Sequence, residues 1–276
     1  MKICTSILAP FILAVLAIPA QASTSAWTET PGGRVRVVIE GGDPAITGKQ
    51  EVRGALQIEL RPGWKTYWRN PGDAGVPPQI SIEGDAKAQI AFPAPVRFAG
   101  DEEGGIGYKK PVSLPVTFHI EPGGKRLKGH AFLGMCENIC VPVLAEFDFP
   151  LDADRQKSSS ENLAARTVVE TAFAQLPAPA SPDFGVSAVK HDKDEAIFDV
   201  ALPDPNAPAE LFVASDTVNL SAPVSVEDGK ASQRFYRQDA GQDERCRYRL
   251  YDRAEWQGSF RPAGTGLTGA PLSSEF

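Results

Sequence analysis

The segment Cys136-Glu137-Asn138-Ile139-Cys140 sets two thiols three residues apart. It lies between two alternating apolar stretches, Arg126–Leu133 and Val141–Phe149, which predict strands. A tight strand connection can bring the two Cα atoms within the roughly 4.4–6.8 Å that a disulfide needs. Three chemistries suit the pair: a redox-active dithiol, a structural disulfide, and a metal site.

Magnitudes favour the dithiol. A five-residue closed loop constrains the unfolded chain by only about 2 kcal/mol, whereas joining either cysteine to Cys246 would close about 110 residues and give about 4.8 kcal/mol. The short loop is the weaker staple, and short loops are where a disulfide becomes exchangeable. The metal alternative would use the soft donors Met135, Cys136 and Cys140, which suit Cu(I), with His130 nearby in sequence. No second Cys or His cluster completes a tetrahedral zinc set, and His119 and His130 fall on predicted strands.

The other two cysteines stand apart from this chemistry. Cys4 belongs to a predicted signal peptide over residues 1–22: Lys2, an apolar run from Ile7 to Ile18, then the small-x-small Ala20-Gln21-Ala22. That run is 12 residues long, short of the about 20 a spanning helix needs, so no membrane span is expected in the mature chain. Cys246 alternates in phase with Tyr248 and Leu250, the pattern of a buried small hydrophobe.

The chain carries 28 basic and 35 acidic side chains in 276 residues, a net charge of −7. An acidic exported protein is a poor binder of nucleic acid or anionic lipid, which require a basic surface. No G-x-S-x-G precedes a helix, and neither H-E-x-x-H nor C-x-x-C occurs. No cofactor is expected, and the partners are expected to be proteins or small molecules.

The elements that must position the cysteines are strands. Apolar residues alternate at Val35, Val37, Ile39, at Leu56, Ile58, Leu60, and from Val112 to Ile120, separated by turn signals such as Arg61-Pro62-Gly63 and Glu121-Pro122-Gly123-Gly124. A hydrophobic content of 42% allows a buried core, and 25 Gly with 24 Pro supply the turns. An all-β sandwich over residues 23–152 fits this pattern.

Beyond Pro150 the period changes. Ser158 to Glu161 is a capping box, and Leu163, Ala165, Val168, Val169, Ala172, Phe173 and Leu176 recur at helical spacing. The run Leu176-Pro177-Ala178-Pro179-Ala180-Ser181-Pro182 then forces an extended linker, so residues 153–182 form a helix and linker. Alternation resumes at Phe184, Val186, Phe198, Val200, Leu211 and Val213, which predicts a second, smaller β-sandwich over residues 183–276 with a fraying Gly/Ser/Pro-rich end.

Gly63-Trp64-Lys65-Thr66-Tyr67-Trp68-Arg69-Asn70-Pro71-Gly72-Asp73-Ala74-Gly75, Phe92-Pro93-Ala94-Pro95, Gly107-Tyr108-Lys109, Leu114-Pro115-Val116 and the Met135–Pro142 cysteine segment occur in that order. Together they resemble the N-terminal periplasmic domain of the DsbD family of thiol:disulfide interchange proteins, and most of all its ScsB-like branch, associated with copper tolerance. The resemblance is clear over about residues 30–150. It implies an immunoglobulin-like sandwich in the periplasm with a redox-active disulfide at Cys136 and Cys140. Implied partners are thioredoxin-like and membrane electron-donor proteins on one side and periplasmic oxidoreductases on the other. A cap loop is implied over Phe98 to Lys109, including Asp101, Glu102, Glu103 and Tyr108, with Tyr108 over the disulfide and Gly104, Gly105 and Gly107 as its hinge. DsbD spaces its cysteines by five residues and here there are three.

By that resemblance Cys140 forms the mixed disulfide and Cys136 resolves it. Glu137 beside Cys136 would disfavour a thiolate by like-charge repulsion, or is simply a solvated turn residue. Trp64, Tyr67 and Trp68 are expected as core or sandwich-end aromatics. The alternative function is a copper-handling or structural binding module built on the same Cys/Met loop.

Overall fold

A computed structural model of the chain describes residues 23–40, 51–72, 75–98, 105–151, 160–192, 195–204, 209–214, 219–220, 224–236 and 257–262. The expected signal peptide with Cys4, the capping residue Ser158, the loop residues Asp101, Glu102, Glu103 and Gly104, and Cys246 lie outside these.

Among the described residues the first unit has eleven strands: β1 (Thr28–Thr30), β2 (Gly33–Ile39), β3 (Glu51–Leu60), β4 (Lys65–Tyr67), β5 (Gln79–Ile82), β6 (Lys87–Ile90), β7 (Val96–Arg97), β8 (Ile106–Tyr108), β9 (Val112–His119), β10 (Arg126–Cys136) and β11 (Cys140–Pro150). They form two sheets, in the orders β1-β2-β3-β9-β6 and β11-β10-β4-β8-β7, with β5 also paired to β10. Alternate residues of each strand turn inward, as period two requires. Val35, Val37, Leu56, Ile58, Leu114, Val116 and Phe118 from one sheet meet Leu127, Leu133, Met135, Ala145, Phe147 and Phe149 from the other in one core. This is the expected immunoglobulin-like sandwich.

The helix α1 (Ser160–Ala174) does not hang between the sandwiches. Ala165, Val169 and Ala172 pack on Val38 and Ala55, cross-strand partners on the outer face of the first sheet. Arg53 adds its guanidinium 4.1 Å above the Phe173 ring, and Asn162 accepts a hydrogen bond from Ser23. Leu163, expected on the apolar face, is 69% exposed: the sheet accepts only the narrow stripe of small residues one helical turn apart.

The second unit contains β12 (Gly185–Asp192), β13 (Glu195–Ala201), β14 (Ala209–Ala214), β15 (Asn219–Leu220), β16 (Val224–Ser225), β17 (Lys230–Tyr236) and β18 (Gln257–Pro262). Its sheets run β12-β13-β17-β15 and β16-β14-β18. Phe198, Val200, Leu211, Val213 and Ala231 form its core. One strand serves two cores. Leu211 and Val213 face the second sandwich, while Phe212 and Ala214, on the opposite side of β14, are buried in the core of the first.

Candidate functional site

The cysteines sit at the tip of the β10–β11 hairpin as direct cross-strand partners, joined as a disulfide with Cα atoms 4.1 Å apart. The expected strand ends are extended by three residues on β10 and one on β11, because the pairing runs on through Met135↔Val141 to Cys136↔Cys140. Strand alternation decides which way the disulfide faces. Leu127, Ala131, Leu133 and Met135 point inward, so Cys136 lies on the outer face of its sheet.

The same outer face is continued by register. Cys136 pairs with Lys65, Tyr67 pairs with Gly107, and Gly107 pairs with Val96. The four strands β10, β4, β8 and β7 thus align Cys136, Lys65, Tyr67, Val96 and the next outward residue, Phe98, on one surface. Gly107 decides what fills the middle. A Cβ there would lie 2.9 Å from the Phe98 ring and 2.0 Å from the Thr66 carbonyl oxygen, so only the missing side chain lets Phe98 fold back across β8. The Phe98 N–H donates to the Gly105 carbonyl at 2.8 Å, which continues the β7–β8 pairing up to the residue that carries the ring.

The result is a small apolar cluster of Tyr67, Phe98 and Cys136, with Val96 at its margin. Tyr67 and Phe98 meet edge to face at 5.9 Å, and the ammonium groups of Lys65 and Lys109 lie 5.1 and 5.3 Å from the Phe98 centroid. Each such cation–π contact contributes about 0.5–1 kcal/mol at an exposed site. Phe98 and Cys136 are both only 2% exposed, whereas Cys140 is solvent-exposed. The Tyr67 hydroxyl reaches Cys140 Sγ at 3.6 Å; with the sulfurs bonded, the phenol is the donor.

The disulfide therefore has one covered sulfur residue and one accessible one, with a phenolic proton beside the accessible one. Tyr67, expected as a core or sandwich-end aromatic, is half of the cover. The run of aromatics next to Lys65 carried no sign of which faced the sulfurs, since that depends on the β10–β4 register.

Tyr108 does not lie over the disulfide. It pairs with Thr66 and so turns inward, into the main core, where its hydroxyl donates to the Pro93 carbonyl at 2.7 Å. Phe98, at the start of the expected cap segment, takes the place assigned to it. Asp101, Glu102 and Glu103 lie outside the described residues.

The three donors named for the metal alternative do not meet on one face. Met135 is fully buried on the inner face, where its sulfur accepts from the Thr30 hydroxyl at 3.3 Å, so it and Cys136 project to opposite sides of the sheet. Among the described residues no group of three His, Cys, Asp or Glu could hold a metal ion. Glu137 is turned to the Arg61–Trp64 turn, where Gly63 has φ of +88° and a Cβ would come 2.7 Å from the carboxylate.

Residues 42–151 match the family model described as thiol:disulfide interchange protein DsbD, N-terminal. The first sandwich is DsbD-like. The matched segment contains the whole hairpin, both cysteines, Tyr67 and Phe98. Among solved structures, the N-terminal periplasmic domain of ScsB from Proteus mirabilis superposes with a TM-score of 0.60 at 17% identity, covering 91% of this chain and 98% of that one. At that identity the likeness concerns the fold, and it extends across both sandwiches. No curated protein matches the chain. No helix among the described residues is long and apolar enough to cross a membrane.

Proposed function

We propose that this chain is an exported, periplasmic thiol–disulfide exchange protein that relays electrons from a membrane or thioredoxin-like donor to periplasmic disulfide-containing oxidoreductases. The observation that carries this is the asymmetry of the bond: Cys140 is exposed at a hairpin tip, and Cys136 is covered by Tyr67 and Phe98. The DsbD-like first sandwich and the ScsB-like fold support the compartment and the partner class.

In the charging step a donor thiolate attacks Cys140 Sγ. A new sulfur–sulfur bond forms as the Cys136–Cys140 bond breaks, and its electron pair leaves on Cys136, which takes a proton from solvent. The donor's second thiolate then attacks the donor sulfur of the mixed disulfide and expels Cys140 as a thiolate. The donor ends as a disulfide and this protein as a dithiol, two electrons richer. In the discharging step Cys140 attacks the target disulfide and Cys136 resolves the mixed disulfide. Tyr67, by donating to the Cys140 sulfur, favours the thiolate that attacks or leaves in each direction.

The test is trapping. In the Cys136→Ser variant, Cys140 has no resolving partner and should accumulate a mixed disulfide with an oxidised thioredoxin-like protein. Cys140→Ser should accumulate none. Absence of any complex in both variants, across the redox range, would refute the relay.

A further inference from the structure

We infer that the second sandwich is a positioning element for the disulfide: strand β14 holds from inside the strands that present Tyr67 and Phe98 outside. The observations are three contacts made by β14, two from side chains on one face and one from its backbone. The Phe212 ring meets Trp68 edge to face at 6.3 Å, and both are buried in the first sandwich's core. The Val213 carbonyl accepts from Asn70 Nδ2 at 3.4 Å, and Glu210 pairs with Arg97 at 3.3 Å.

Two of the contacts land beside a residue of the cover. Trp68 follows Tyr67, and Arg97 precedes Phe98. Alternation sends Trp68 and Arg97 to the side opposite Tyr67 and Phe98. The strands involved are short, three residues for β4 and two for β7, so their own pairing fixes them poorly. Among the described residues β7 is also the last strand of its sheet, with β8 as its neighbour in the sheet order. Phe212 and Glu210 supply what the ladder does not: a packed ring under β4 and a charge partner under β7.

The energetics set the expected size. An edge-to-face ring pair contributes enough beyond its area to shift a local opening equilibrium between about two- and tenfold. Opening of these two strands moves Tyr67 away from Cys140 and Phe98 away from Cys136, which adds the covered Cys136 sulfur to the exposed Cys140 sulfur as a point of attack. This role rests on the exchange chemistry proposed above, but its measurement does not need the relay's protein partners.

The experiment is the reduction rate of the Cys136–Cys140 disulfide in the full chain by glutathione, without denaturant, alongside urea unfolding of each variant. Phe212→Ala should raise the rate at least two- to tenfold, about the range of the ring pair alone, before the lost burial of the side chain is added. Should that variant fail to fold, the ion pair decides: Arg97→Glu should raise the rate, and Arg97→Glu combined with Glu210→Arg should return it toward the original value. A merely structural role would lower the urea midpoint and leave the rate in water unchanged, and that result would overturn the proposal. Failure of the mixed-disulfide trapping with these rates still altered would refute the relay and leave β14 as the positioning strand.

Discussion

The Tyr67 hydroxyl of β4 and the Cys140 sulfur of β11 lie 3.6 Å apart across the intervening strand β10, at the point where the covered cluster gives way to solvent. The contact is available to the thiolate once the disulfide is reduced, and a donor to the charged form stabilises it. Replacing Tyr67 by Phe keeps the ring that meets Phe98 and deletes the proton. In the Cys136→Ser background, Tyr67→Phe should slow alkylation of Cys140 at neutral pH by about three- to tenfold, the scale of a partly solvated hydrogen bond to a charged group. The rate of alkylation by iodoacetamide measures it; an unchanged rate would remove Tyr67 from the chemistry.

Phe98 and Gly107 act as one unit. Phe98→Ala removes the ring over Cys136 and should speed reduction of the disulfide by small thiols while leaving the main core intact. Gly107→Ala should do the same by a different route, since its Cβ would collide with the Phe98 ring and the Thr66 carbonyl. It should also cost about 1–3 kcal/mol of stability from overpacking. Thiol-exchange kinetics and urea unfolding on both variants separate the two effects. A Gly107→Ala protein as stable and as slowly reduced as the parent would show that the ring does not depend on that gap.

Burial alone pushes the Tyr108 phenol well above its ordinary value of 10.0. A raised folded value means that the unfolded chain releases this proton first. The contribution to stability is thus complete below about pH 10 and is lost as the pH climbs toward the folded value. In spectrophotometric titration, part of the tyrosine absorbance change should appear only with alkaline unfolding, and Tyr108→Phe should remove that part. The same variant should lose about 1 kcal/mol at neutral pH with its hydrogen bond to Pro93. Ionisation of Tyr108 near pH 10 in the folded protein would contradict its burial.

Much of the architecture was legible because period two is a local property. Val35, Val37 and Ile39 declare their strand and its buried face without reference to any other segment, and the hairpin around the cysteines was bracketed to within three residues. The site was harder to read because its members are outward-facing residues of β10, β4, β8 and β7 brought side by side by register. Tyr67 and Phe98 occupy positions whose pattern predicts solvent, and only their alignment with Cys136 makes them a cover. Tyr108 misled for the same reason, since one residue's shift along β8 places a side chain on the other face.

Phe212 left a clearer trace. The run Leu211-Phe212-Val213-Ala214 is continuously apolar, the mark of a strand covered on both sides, and the alternation of Leu211 with Val213 drew attention away from it. Helix α1 shows the opposite case: its stripe was visible in sequence, yet Leu163 was assigned to a face that the sheet could not accommodate.

The doubly covered strand β14 also bears on how the molecule comes into being. The polypeptide is threaded across a membrane from its N-terminus in the proposed export route, so the cysteine hairpin arrives well before Phe212 and Ala214. Until those residues follow, the earlier sandwich has an unfilled apolar slot beside Trp68, and a fragment cut at the proline-rich segment would keep that slot open for good. The boundary that looks safest for dividing the gene is therefore the one whose N-terminal product should be the most prone to aggregate.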